Sequence, residues 1–93
     1  MKLNFEWDKK KAAENFRKHR VSFEEAGTVF SDLLSLTIHD PTHSISEDRF
    51  VIVGESLNRR ILVVVHTERK DRIRIISARP ANQREKKIYE ESN

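Results

Sequence analysis

The chain has 93 residues, which suits one domain, residues 1–93, built around one modest core. Charged residues make up 35% of it and the formal net charge is +3. It contains no cysteine, which excludes disulfides and thiolate metal sites. No apolar run approaches the ~18 residues of a membrane span, and the first residues lack a signal peptide's apolar stretch. A cytoplasmic protein without a membrane partner is therefore expected.

The small net charge hides a segregation. Residues 1–20 carry +4, residues 21–68 carry −5, residues 69–87 carry +6 and residues 88–93 carry −2. A fold that brings the two basic segments together would make one positive surface, suited to a phosphate backbone.

In chain order, Asp8 can cap a helix over 9–18 with Ala12, Ala13 and Phe16 on one stripe. Ser22 and Glu25 have the spacing of a capping box for a second helix over 23–31, burying Phe23, Ala26, Val29 and Phe30. The connection over 19–21 is short and predicts a helical hairpin. The period then changes to two. Strands are predicted at 34–38, 49–54, 60–67 and 72–78, with a turn over Asp40-Pro41-Thr42-His43-Ser44. Pro80 is placed as the first residue of a last helix reaching about Glu91. The expected fold is α+β: two N-terminal helices, a four-stranded antiparallel sheet and a C-terminal helix, in the order ααββββα.

The most telling stretch is Arg72-Ile73-Arg74-Ile75-Ile76-Ser77-Ala78-Arg79-Pro80. Strand side chains alternate, so Arg72 and Arg74 share one face while Ile73 and Ile75 share the other. A sheet face bearing guanidinium groups can hold phosphate, because the planar fork binds bidentately and stays charged.

No glycine-rich phosphate loop, HExxH or Ser-His-Asp pattern is present. His39, Asp40 and His43 make only a weak metal pattern, and neither metal nor cofactor is expected. RNA cleavage without metal needs a base for the 2′-hydroxyl, cations for the phosphate and an acid for the leaving oxygen. Arg74 and Arg79 are expected on the phosphate, with Arg49 assisting. Glu47, two residues before Arg49, is a candidate base, or else forms a cross-strand ion pair. Lys18 and His19 would bind backbone or transfer a proton, since histidine can act as acid or base near neutrality. Favourable interaction with the negative helix end accounts for any one of Lys18, His19 and Arg20, but not for the run. The amides of the helix start after Arg79 could add to an anion site. His66, Trp7 and Phe5 read as core residues; base stacking is the other role open to the last two.

Several pieces of the chain resemble BrnT-type toxins, the ribonuclease halves of bacterial type II toxin–antitoxin modules. They are Phe5-Glu6-Trp7-Asp8, Asn15-Phe16-Arg17-Lys18-His19, Val21-Ser22-Phe23-Glu24-Glu25-Ala26 and Val29-Phe30. Then come His43-Ser44 with Glu47 and Arg49, Gly54-Glu55-Ser56, residues 63–69, residues 74–79, Glu85 and Tyr89. Two departures stand out: Arg20, where glycine usually follows the histidine, and Asn58-Arg59-Arg60, where a Gly-Arg pair is common before the third strand. The resemblance implies a fold similar to RelE-type ribonucleases and an RNA-cleaving toxin that stops translation and growth. It also implies a BrnA-like antitoxin with a ribbon-helix-helix domain, a heterotetramer, and operator DNA contacted through the antitoxin. A non-catalytic nucleic-acid-binding or repressor module, or an antitoxin-docking scaffold, would use the same basic face.

Overall fold

The computed structural model describes residues 3–40 and 48–92. Strand β1 (Asn4–Glu6) is followed by helices α1 (Lys9–His19) and α2 (Phe23–Thr28), which runs into a 3₁₀ turn over Val29–Ser31. Strands β2 (Leu36–Asp40), β3 (Arg49–Glu55), β4 (Ile61–Arg69) and β5 (Arg72–Pro80) follow, then helix α3 (Gln83–Glu91).

The sheet has five strands, in the order β1-β5-β4-β3-β2, and not four. The four expected strands form the antiparallel meander. The added strand, β1, pairs parallel with β5. Three residues are too few to show a period, and that is why pattern reading passes over it.

Local chemistry sets the helix ends. Asp8 accepts hydrogen bonds from the Lys10 and Lys11 amides and starts α1. Ser22 accepts from the Glu25 amide. The expected reciprocal half of that box is missing, because the Glu25 carboxylate turns inward to Arg60 and Ser56. The true capping box belongs to α3. Asn82 accepts from the Glu85 amide and the Glu85 side chain accepts from the Asn82 amide. Pro80 is thus the last strand residue and not the first helical one. Pairing continues past it, with the Ala81 amide donating to the Ile61 carbonyl over 2.8 Å.

One sheet face packs against the helical segment over 21–30. Val21, Phe23, Ala26 and Val29 meet Ile52, Leu62, Val64, Ile75 and Ala78 there. Phe5 and Trp7 join this core, with Phe5 against Phe30 and Trp7 edge-on to Phe23. His66 is 1% exposed between Phe30 and Phe50. Burial holds its imidazole below the ordinary value, against the pull of Glu68. It is a packed core group, neutral at pH 7.

The predicted helical hairpin does not form: α1 and α2 both rest chiefly on β5. The buried residue of α1 is Asn15, while Phe16 is 45% exposed under the Arg20 guanidinium. Asn15 donates to the Val21 and Ala78 carbonyls and accepts from the Ala78 amide. Its amide thereby imitates a strand backbone on the edge of β5 that β1 leaves uncovered.

The other face is half covered. Helix α3 lies over its β2–β3 side, where Tyr89 is buried and donates to Asp32. Asp32 also accepts from the Leu34 and Glu55 amides, at 3.0 and 2.8 Å. Beyond α3 the side chains of Arg74 and Arg79 on this face reach solvent, 32% and 43% exposed.

Candidate nucleic-acid interface

The open face is built by register. Arg49 pairs with Thr67, Thr67 with Arg74, and Arg74 with Glu6. Asp40 stands at the far end of the same row, opposite Arg49. The next row holds Ile38, Val51, Val65 and Ser77. The one after holds Leu36, Val53, Val63 and Arg79.

Arg74 and Arg79 are five residues apart, so strict alternation would set them on opposite faces. A bulge in β5 prevents this. Val65 faces Ser77 while His66 faces Ile75, so Ile76 is the extra residue and the alternation reverses across it. The burial agrees: Ile75 and Ala78, three apart, both enter the core. The bulge is what brings Arg79 onto the arginine face. The two arginines stand four β4 residues apart, Thr67 and Val63, or about 13 Å of strand.

Both arginines are held by carboxylates. Arg74 donates to Glu6 at 3.1 Å, with Arg72 at 3.5 Å and Arg69 at 3.7 Å from the same side chain. Arg74 first, and then the other arginines against a smaller opposing effect of burial, holds Glu6 below the usual carboxylate range. Arg79 grips Glu85 through two bonds of 2.8 Å. That pairing lowers Glu85 and raises Arg79. The expected anion pocket at the start of α3 is therefore already filled, by the Glu85 carboxylate.

Lys18 and His19 reach the strip from the side. With Lys11, Glu14 and Asn15 of α1 they line a hollow of ≈ 220 Å³ against Ile76 and Ser77. Ser77 lies on the open face between Arg74 and Arg79, so the hollow adjoins the arginine strip. The structure thus places Arg49, Arg74 and Arg79 on one sheet face, with Lys18 and His19 at a hollow beside β5. Glu47 and His43 lie outside the described residues. His39 and Asp40 are strand neighbours and point to opposite faces, and His39 meets Asp48 at 3.3 Å. Among the described residues no three potential metal-binding His, Asp or Glu side chains cluster.

Sequence reasoning assigned no role to two members of the row. Thr67 is 2% exposed and its Oγ1 has no hydrogen-bond partner. Glu6 lies in the Phe5-Glu6-Trp7-Asp8 motif, but its meeting with three arginines depends on β1, which gives no periodic signal.

The structure is similar to the crystal structure of the Brucella abortus ribonuclease toxin BrnT, with a TM-score of 0.65 and 25% identity. The match covers 88% of this chain and 100% of that one. The family model for BrnT, the ribonuclease toxin of type II toxin–antitoxin systems, matches residues 7–85. The chain belongs to the BrnT family. No curated protein matches it.

Proposed function

We propose that this chain is a metal-independent endoribonuclease that cleaves RNA on the open sheet face and so arrests translation and growth. One observation carries the reading: the β5 bulge sets Arg79 on the same face as Arg74 and Arg49. Fixed guanidinium groups can stabilise the charge that builds on a phosphate in the transition state. Arg74 and Arg49 share a row and serve the scissile phosphate, while Arg79, about 13 Å along the strand and paired with Glu85, serves a neighbouring one. Lys18 and His19 line the path of the strand, with His19 able to carry a proton. Glu47, beside Arg49 in sequence, is a further candidate for proton transfer.

In a type II module the toxin has an antitoxin. We take it to be BrnA-like, with a ribbon-helix-helix domain, assembling as a heterotetramer that reaches operator DNA through the antitoxin. The site of action is the cytoplasm, and the fold is kin to RelE-type ribonucleases. The apolar groove between α3 and the β2–β3 face favours a docking role beside catalysis. It is lined by Leu36, Ile38, Val51, Val53 and Ile88, and it adjoins the arginine strip. Expression in bacteria tests the reading. The wild type stops growth and Arg74→Ala/Arg79→Ala, folded, does not. Growth arrest by the folded double variant would overturn this placement of the site.

A further inference from the structure

The row Arg49–Thr67–Arg74–Glu6 holds two groups that phosphate binding by arginine leaves unexplained. The Thr67 hydroxyl lies between two arginine positions and is buried without a partner. A buried hydroxyl in that state costs free energy, and at 2% exposure Thr67 acts as a spacer in the row and not as a ligand contact. The Glu6 side chain is 23% exposed, and three guanidinium groups converge on it. It differs from Glu85, which is committed to capping α3.

We propose that Glu6 is the general base of strand cleavage, beside a scissile phosphate held by Arg49 and Arg74. This rests on the ribonuclease reading above. Glu6 takes the proton of the 2′-hydroxyl, and O2′ forms a bond to phosphorus. The bond from phosphorus to O5′ breaks, and O5′ takes a proton from water at the exposed rim. The products are a 2′,3′-cyclic phosphate and a 5′-hydroxyl, and Glu6 releases its proton to solvent. No oxidant or reductant is involved.

The arginines make this base responsive to substrate. Before RNA binds, Arg74 is the main partner that keeps Glu6 ionised. A phosphate seated on Arg74 draws that partner away, so the proton affinity of Glu6 rises as substrate arrives. The charged groups facing it are Arg69 of β4 and Arg72 and Arg74 of β5. Asp8, the cap of α1, also feels the charge of Arg74.

The test compares the full chain with Glu6→Gln and Glu6→Asp, under single-turnover conditions across pH. A second arm measures binding of the same RNA carrying 2′-O-methyl groups, which block attack. Glu6→Gln is expected to cleave about 10²–10⁴-fold more slowly, to lose the acid limb of the rate profile, and to bind at least as tightly. Glu6→Asp, which keeps the carboxylate, retains that limb. Cleavage by Glu6→Gln within about tenfold of wild type would overturn the proposal, since a positioned base contributes more than that. Loss of binding in step with cleavage would overturn it too, by showing that Glu6 only orders the arginines. If Glu6→Gln does not fold, Glu6→Asp decides: it must slow cleavage without weakening binding. A wild type that binds but does not cleave removes the ribonuclease reading itself. Cleavage by wild type and Glu6→Gln alike removes only the role of Glu6.

Discussion

Asn15→Ala is expected to cost this domain a large part of its stability without touching a charged residue. The Asn15 amide makes three hydrogen bonds, to the Val21 carbonyl and to the carbonyl and amide of Ala78. Each contributes about 1 kcal/mol net, and a buried group left unpaired costs on the order of 1–3 kcal/mol. The neighbouring hollow under α1 admits water, so the orphaned Ala78 groups are partly resolvated and the lower figure applies. Alanine also gains roughly half a kcal/mol of helix propensity. The balance is a loss of about 2–3 kcal/mol. For a domain of this size each kcal/mol shifts Tm by about 4–8 °C, so Tm should fall by about 8–24 °C. Urea unfolding followed by circular dichroism measures the first figure and a thermal scan the second. A loss under about 0.5 kcal/mol would refute the idea that Asn15 stands in for a strand on the β5 edge.

Further outcomes follow from other contacts. The chain has one tyrosine, and burial, with Asp32 beside it, pushes Tyr89 up to about 12. A raised value means stability that is complete below about pH 10 and lost as pH climbs through the folded value. An ultraviolet phenolate titration should therefore have its midpoint near 12, and a midpoint near 10 would show that the Asp32 contact is absent in solution. Arg59 sits at φ 65°, where glycine is at ease. Arg59→Gly should raise stability by about 0.5–1 kcal/mol, and a lower Tm would contradict this. Glu25 is held below the usual carboxylate range by Arg60 first and then by Ser56. A lowered value means stability present above the ordinary glutamate pKa and lost as pH falls through the folded one. Glu25→Gln should cost about 1–3 kcal/mol at pH 7, the half-exposed Arg60 keeping it below the range for fully buried pairs. That cost should shrink in acid, and a cost constant with pH would deny the ion pair.

The parts of the fold that were legible share a cause. Capping by Asp8 and Ser22, the apolar runs of β3 and β4 and the alternation of Arg72 to Ile75 in β5 are written in neighbouring residues, so pattern alone finds them. What was not legible is set at a distance. Strand β1 exists because Phe5 packs in the core and its backbone meets β5 far along the chain. The bulge at Ile76 follows from the register with β4, and no local signal marks it. It decides that Arg79 joins Arg74, a point alternation would have reversed. The role of Asn15 was not legible because its partners, Val21 and Ala78, come from other segments. Arg20 was visible as a departure from the family's glycine and takes a left-handed conformation at φ 58°. Within the other departing stretch, Asn58-Arg59-Arg60, the structure shows that Arg59 is the left-handed residue, at φ 65°.

The central claim is that the arginine face cleaves RNA without metal. Its most direct measurement is cleavage of purified RNA by the isolated chain in EDTA, alone and with translating ribosomes, beside Arg74→Ala/Arg79→Ala. The account predicts cleavage by the wild type in at least one of these settings and none by the folded double variant. Cleavage by both proteins, or by neither in either setting, would contradict it.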